Sequence, residues 1–540
     1  MYEGDEAAVI AIDTVSGGGA SENGTQSVTV TISENESAPT VTLAVSATSI
    51  AENSGSSLTL TATLSNVADE DVTVSLSTSG AATEGTDYTD GSGNLDDITI
   101  TAGSTTGTVS FTPTDDSVYE DDEAAVIAID TVSGADATES GTQSVTVTIT
   151  ENESAPTVTL AVSATSIAEN AGSSLTLTAT LSGATDETVT VALGTSGSAT
   201  EGTDYTDGSG NVDDITISAG STTGTVNFTP TNDSVYENDE TATIAITGVS
   251  GGGASESGSQ SVTITISEDE SAPTVTLSVS ATSIAENAGS SLTLTATLSG
   301  AADEAVTVAL STSGTSTEGT DYTDGSGNID DITISAGSTT GTVNFTPTDD
   351  SVYEGNETAI VAISSVSGAD ASESGSQSVT ITITENESAP TITLARSAAS
   401  IDENSGSTIT LTATISGVTD SAVTVALDTS GTATEGTDYG TISDITISAG
   451  ATTGTATLDP TDDNIYEDDE TATIDIGSVS GKSGVTESGT QQVSVTITEN
   501  ESAPTVTLAT SATSIAENAG TSLTLTATLS VATTADVTVA

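Results

Sequence analysis

Leu58-Thr59-Leu60-Thr61-Ala62-Thr63-Leu64 alternates apolar side chains with threonine over its whole length. A period of two puts every apolar group on one face of an extended chain and every hydroxyl on the other. Threonine suits the outer face, because its branched Cβ fits a pleated, half-buried surface. The stretch reads as a strand with one face covered. Upstream, Val41, Leu43 and Val45 alternate with Thr and Ala in a strand expected to run on to about Ile50. Downstream, Val72, Val74 and Leu76 form a third strand, Ile98 and Ile100 a short fourth, and Val109 and Phe111 a fifth. Val126 and Ala128, with their neighbours Ile127 and Ile129, form a sixth, and Val145, Val147 and Ile149 a seventh. No stretch carries a convincing helical period. Seven short strands separated by Gly-rich turns predict an all-β fold, an immunoglobulin-like β-sandwich.

Repetition sets the domain organisation. Ala-Pro-Thr recurs at Ala38, Ala155, Ala272, Ala389 and Ala503, at spacings of 117, 117, 117 and 114 residues. Four full repeats are therefore expected, at 38–154, 155–271, 272–388 and 389–502. Residues 1–37 match the last third of a repeat and 503–540 the first third, so neither end piece supplies the middle third. The expectation is a window cut from a longer array.

Of 540 residues, 79 are Asp or Glu and two are basic, Arg396 and Lys482, for a formal net charge of −77. Nucleic acid and anionic lipid both demand a basic surface, so neither is an expected partner. No run approaches the roughly 18 apolar residues of a membrane-spanning helix. The first residues show no basic segment followed by an apolar core, so no signal peptide is visible. With neither His nor Cys, no Ser-His relay or thiolate nucleophile can be built. Two basic residues make no phosphate clamp, and sugar-stacking aromatics are nearly absent. The chain is not expected to be an enzyme.

The acids are not spread evenly. Asp115-Asp116-Ser117-Val118-Tyr119-Glu120-Asp121-Asp122-Glu123 holds six carboxylates in nine residues, and near-copies occur at 232–240, 349–357 and 462–470. If strands reverse at each connection, four acidic segments of a repeat meet at one end of the sandwich. In repeat one that tip gathers Glu52, Asp87, Asp115, Asp116, Glu120, Glu123, Glu151 and Glu153. Repeat two offers Glu169, Asp204, Asp233, Glu237, Glu240, Glu268, Asp269 and Glu270, with Asn232 in place of one Asp. Repeat three offers Glu286, Asp321, Asp349, Asp350, Glu354, Glu357, Glu385 and Glu387. Repeat four offers Glu403, Asp438, Asp462, Asp463, Glu467, Glu470, Glu499 and Glu501. Carboxylate oxygens are hard ligands, and calcium accepts six to eight of them in a tolerant geometry. Solvated acidic loops are the plainer alternative. The next repeat begins two residues after Glu153, so each tip is expected at a junction between domains. The lower loop Asp69-Glu70-Asp71 would face the preceding tip, either lending a ligand or staying in water. The segment Asp90-Gly91-Ser92-Gly93-Asn94-Leu95-Asp96-Asp97 is either a surface turn or an accessory calcium loop. Tyr88 and Tyr119 are expected to pack in the core or at its rim.

Ser49-Ile50-Ala51-Glu52-Asn53, Gly85-Thr86-Asp87-Tyr88, the acidic run at 115–123 and Thr148-Ile149-Thr150-Glu151-Asn152-Glu153 together resemble the Calx-beta domain. That repeat occurs in the regulatory calcium-binding domains of sodium–calcium exchangers and in large bacterial surface proteins. The resemblance implies an immunoglobulin-like sandwich with calcium held at the tip by the acids of these segments. Exchanger members close with three consecutive Asp, where this chain has Glu-Asn-Glu. Long Thr- and Ser-rich arrays also resemble the extender regions of giant bacterial adhesins. The implied function is a calcium-rigidified extracellular spacer, the stalk of an adhesin or the subunit of a surface fibre in attachment or biofilm. The implied partners are neighbouring repeats of the same chain and homotypic lateral or fibre contacts, without membrane insertion by this segment. Calcium would stiffen the tandem sandwiches into a linear rod, each adding roughly 35 to 40 Å. The alternative is a calcium-sensing regulatory module of a larger membrane protein.

Overall fold

A computed structural model describes residues 1–540. The chain is all-β, and its helical turns are the two 3-10 turns Glu52–Ser54 and Glu169–Ala171. No helix is long and apolar enough to cross a membrane. The chain divides into two compact units, Met1–Asp233 with Asn238–Asp269, and Ser234–Glu237 with Glu270–Ala540.

In repeat one, two five-stranded sheets face each other. The first orders Ser49–Ala51, Ser144–Thr150, Glu123–Ser133, Val72–Gly80 and Ile98–Ile100. The second orders Thr138–Glu139, Thr40–Val45, Leu58–Leu64, Thr106–Pro113 and Tyr88–Thr89. Leu58–Leu64 is central in the second sheet. Leu60, Ala62 and Leu64 are buried, while Thr59 is exposed. One core cluster fills each full repeat, and in repeat one its largest members are Tyr88 and Phe111, stacked with ring centroids 4.5 Å apart.

Two sequence expectations need correction. The first strand does not run through to Ile50. Thr40–Val45 pairs antiparallel with Leu58–Leu64, whereas Ser49–Ala51 pairs parallel with the last strand in the other sheet. At the crossing, Ser46 donates its N–H to the Thr59 carbonyl at 3.0 Å and accepts the Thr59 N–H on Oγ at 3.0 Å. That exchange ends the pairing and lets the chain change sheets. In the sixth strand the inward face is Ala125, Ile127 and Ile129, with Val126 and Ala128 only half-buried. Four consecutive apolar residues carry no alternation, so sequence alone named both faces.

Gly80 closes the strand Val72–Gly80 at φ +120, and a Cβ there would run into the Ala124 carbonyl oxygen. Ala82 also donates to that oxygen, at 3.3 Å. The close approach aims the following loop, with Asp87, over the end of the neighbouring strand, where Glu123 begins.

Candidate metal centres at the repeat tips

Each tip is assembled from strand ends. All main-strand pairings in repeat one are antiparallel, and the two parallel pairings, Ser49–Ala51 with Ser144–Thr150 and Thr138–Glu139 with Thr40–Val45, preserve that sense. Glu52, Asp87, the 115–123 loop and Glu151 therefore leave their strands at the same end.

The acids there fall into two groups rather than one. In the first, Glu52, Glu151 and Glu153 each place a carboxylate oxygen within 4.8 Å of the others. Glu52 is buried at the mouth of the sandwich, and its Oε1 accepts the Asp116 N–H at 3.0 Å. Glu151 Oε2 accepts the Glu120 N–H, and its Oε1 accepts those of Asn152 and Glu153, each at 2.6 Å. The second group is Asp87, Glu120 and Glu123, again with oxygens within 4.8 Å of one another. The Thr114 N–H donates to the Asp87 carbonyl at 2.9 Å and joins the two loops that carry this group. Glu123 Oε2 is buried without a hydrogen-bond partner.

Asp116 and Asp115 behave differently. Asp116 Oδ1 accepts the Val118 N–H at 2.7 Å and so folds its own loop, while Asp115 is exposed. The segment at 90–97 is a turn in which Asp90 Oδ1 accepts the Ser92 N–H, the Ser92 hydroxyl and the Gly93 N–H. Those bonds hold the Asp90 carboxyl below its ordinary value, the Ser92 N–H contributing most.

The arrangement repeats. In repeat three, Glu286, Glu385 and Glu387 form the first group. Glu286 accepts the Asp350 N–H at 3.2 Å, and Asn386 Nδ2 donates to Asp349 Oδ1 at 3.3 Å. Asp321 lies beside Glu354 and Glu357. In repeat four, Glu403, Asp438, Glu467, Glu470 and Glu499 line one small cleft. There Glu403 accepts the Asp463 N–H at 3.1 Å, Glu499 accepts the Glu501 N–H at 2.6 Å, and Asn500 Nδ2 donates to Asp462 Oδ1 at 3.5 Å. In repeat two, Glu169 accepts the Asp233 N–H at 2.8 Å, Asp269 Oδ2 accepts Asn170 Nδ2 at 2.8 Å and Glu268 donates its N–H to Asp239 at 3.0 Å. Asp204 Oδ2 accepts the Thr200 N–H at 2.5 Å, and Glu240 opens the strand Glu240–Ser250. Glu237 and Glu270 belong to the second compact unit.

Electrostatics mark the same residues. Burial, then the Asp87 carboxylate alongside, pushes Glu120 and Glu123 up to about 7. Glu354 and Glu357 rise to about 7 from burial first and then Asp321. Burial pushes Glu470 to about 7, with Asp438 adding to it. Glu387 and Glu501 rise to about 7 chiefly because each faces a second carboxylate, Glu385 or Glu499. Outside repeat three, where Lys482 stands near Glu354 and Glu357, half-buried carboxyls held this high lack positive charge nearby.

Sequence reasoning left one contributor from the following repeat open, and it gave no sign of the contact that seats it. Val118–Tyr119 pairs in parallel with Ala184–Thr185 of repeat two, and Asp186 donates its N–H to the Tyr119 carbonyl at 3.3 Å. This seats Asp186 near Asp87, Glu120, Glu123 and Asp121, with its carboxyl raised by burial first and then by Glu187. Asp186 is the repeat-two counterpart of Asp69, whose place in or out of water the sequence left open. Tyr119 itself lies across Gly253, where a Cβ would stand 2.6 Å from its ring. Tyr353 lies across Gly484 of repeat four in the same manner, and Val352–Tyr353 pairs with Val418–Thr419. The signal was present in the fixed spacing of Tyr119 from the next Asp-Glu pair. No local rule ties the two together.

The donor set is all oxygen, partly buried and short of positive charge, with unpartnered buried oxygens on Glu123, Glu387, Glu470 and Glu501. Hard divalent cations fit such a set, and calcium more readily than magnesium because it accepts six to eight oxygens without a strict octahedral geometry. Soft and borderline metals would look for Cys or His, which the chain lacks.

A family model described as the Calx-beta domain matches residues 34–153, 151–270, 268–387 and 385–501. No curated protein sequence matches the chain. Among solved structures, CBD12 from CALX1.2 is 17% identical over 41% of this chain and 99% of its own, with a TM-score of 0.19. Invasin, a bacterial integrin-binding protein, is 15% identical over 87% of this chain and 82% of its own, with a TM-score of 0.22. The adhesin InvE of Yersinia pseudotuberculosis is 14% identical over 41% and 58%, also at 0.22. Scores this low establish no common arrangement of whole chains. The family matches overlap at 151–153, 268–270 and 385–387, the segments that end one domain and begin the next.

Proposed function

The chain belongs to the Calx-beta domain family, in four tandem copies, and from that premise we propose that it is a calcium-stiffened spacer of an extracellular surface protein. The observation that carries this reading is the second acid group at the tip of repeat one. Asp87, Glu120 and Glu123 come from one domain and Asp186 from the next, and one buried oxygen among them has no partner. A divalent ion there offsets two of the group's four negative charges and ties three loops and two domains at once.

Glu52, Glu151 and Glu153 would hold one ion, and Asp87, Glu120 and Glu123 another, with Asp186 beside the second. The backbone does the positioning. Asp116, Glu120, Asn152 and Glu153 donate N–H groups to Glu52 and Glu151, which fixes those carboxylates before any ion arrives. Without an ion, unit charges about 4 Å apart repel by roughly 1 to 4 kcal/mol, depending on the effective dielectric. That repulsion works against the loop ends and the segment at 151–153. Extracellular calcium modules bind at about 10⁻⁴ to 10⁻³ M, which suits a cell surface. The array has a structural and binding role with no chemistry of its own. As the stalk of an adhesin or the body of a surface fibre, it would hold a distant tip away from the cell. The regulatory-sensor alternative lacks support of this kind, because a sensor has no need of ligands shared between successive copies.

Calorimetric titration of the whole chain with calcium tests the assignment, and the absence of binding at millimolar calcium refutes it. The variant Glu123→Gln sharpens the test. It removes one of the crowded charges, so in chelator it should melt at or above the unsubstituted chain. In calcium it should melt below it, because a ligand is gone. A lower melting temperature in both conditions would mean that Glu123 is merely structural.

A further inference from the structure

The seams between repeats are not alike in charge. At the seam between repeats one and two, Asp121, Asp122 and Glu187 add three negative charges to the paired acid groups. Their counterparts between repeats three and four are Gly355, Asn356 and Ser421, which add none. Asn356 still performs the structural task of Asp122. Its Oδ1 accepts the Glu385 N–H at 3.0 Å, as Asp122 Oδ1 accepts that of Glu151 at 2.9 Å. The hydrogen bond is kept and the charge is dropped.

The second seam also has a cation. Lys482 is one of only two basic residues in the chain. It stands in the loop after the strand Glu470–Ser480, one residue longer than the corresponding loops of the other repeats. Its Nζ lies 2.6 Å from Asp420 Oδ1, an acid of its own repeat, and its side chain is only 13% exposed, so the pair is held at the face that meets repeat three. Asp420 is the counterpart of Asp186, the acid that repeat two brings to the first seam. Lys482 also shares a cleft with Glu354 and Glu385 of repeat three and lies close enough to Glu357 to draw its carboxyl down against the surrounding acids. Three missing negative charges and one added positive charge make a difference of four units between the two seams.

We infer that Lys482 is a built-in cation that holds repeats three and four together without calcium, while the seam between repeats one and two depends on the ion. This rests on the calcium reading of the acid groups at both seams. The array would then combine a permanent joint with a calcium-set one. As calcium falls, it would bend at chosen places instead of loosening throughout.

The chain has no cysteine, so introduced pairs are unique labelling sites. Thr106→Cys with Thr223→Cys spans the first seam, and Thr340→Cys with Thr453→Cys spans the other; all four threonines are exposed. Spin-label distances are read in the full chain by double electron–electron resonance, in chelator and in 5–10 mM calcium, roughly tenfold above the weaker dissociation constants of such modules. In chelator the first distance should broaden severalfold in width and the second should stay narrow. Lys482→Gln should broaden the second distance in chelator and let calcium narrow it again, and Lys482→Arg should keep it narrow throughout. Recovery in calcium also shows that the Gln variant is folded. The inference is overturned if the second distance broadens in chelator in the unsubstituted chain, or if Lys482→Gln leaves it narrow, or if calcium fails to restore the variant. A first distance indifferent to calcium would overturn the ion dependence of the first seam, and the lysine's role would stand only where the Gln variant broadens in chelator and narrows again in calcium.

Discussion

Chelating calcium at pH 8 should lower the melting temperature of this chain by roughly 10 °C or more relative to calcium at a hundredfold excess over its dissociation constant. An ion that binds only the folded state adds about 2.7 kcal/mol at that excess. A domain somewhat above 100 residues gains roughly 4 °C per kcal/mol. The pH dependence should distinguish this ion effect from a general salt effect. In the chelated chain Glu120 and Glu123 have carboxyls raised from 4.5 to about 7. A raised acid favours the fold when protonated. Its contribution is full below about pH 4.5 and is lost as pH climbs through about 7. Glu354, Glu357 and Glu470 act in the same direction over the same window. The chelated chain should therefore melt progressively lower from pH 5 to pH 8. In saturating calcium the slope should vanish or reverse, because deprotonated carboxylates bind the ion. Calcium binding should also release protons, and more of them at pH 6 than at pH 8. Equal slopes with and without calcium would show that these acids are not ligands.

The sandwich was legible wherever a strand has one wet face. Leu58–Leu64 and Val72–Gly80 could be placed on sight because threonine or serine fills alternate positions. Legibility failed where pairing is decided at long range. Tyr88–Thr89, Thr138–Glu139 and Val118–Tyr119 are two-residue strands, and their partners lie about 24, 98 and 66 residues away in sequence. Two residues carry no period. The convergence of acids on one end followed from counting reversals, since every long strand turns back on the last. Their division into two groups did not follow, because it depends on which backbone N–H groups each carboxylate accepts. Asp116 illustrates the limit. Its Oδ1 accepts the Val118 N–H of its own loop, a bond of which composition gives no sign. Asp186 illustrates the converse. It sits in the lower loop of the next repeat, which sequence placed against the tip but could assign neither to the site nor to water, and the Tyr119 pairing seats it beside the acids.

Phe111→Ala should split the thermal unfolding of the chain into two transitions. Phe111 is fully buried and stacks on Tyr88 at an interplanar angle of 22°, in a chain with only three phenylalanines. Truncating a buried phenylalanine costs about 3–5 kcal/mol, because lost transfer energy adds to an unfilled cavity. That is a large share of the 5–15 kcal/mol typical of a folded domain. Each repeat has its own core cluster, so the loss should stay in repeat one. About a quarter of the unfolding enthalpy should move down by roughly 12 °C or more, and the remainder should hold its position. Repeat four supplies the control. Leu458 occupies the same place in the register, opposite Ile409 as Phe111 is opposite Leu58. A leucine is thus accommodated by this architecture, and Phe111→Leu should cost no more than about 1.5 kcal/mol. Differential scanning calorimetry in calcium decides the matter. A single transition shifted as a whole would mean that the ion-filled seams couple neighbouring repeats into one cooperative block. Repeating the scan in chelator should then restore the split, since the coupling would have been removed with the ion.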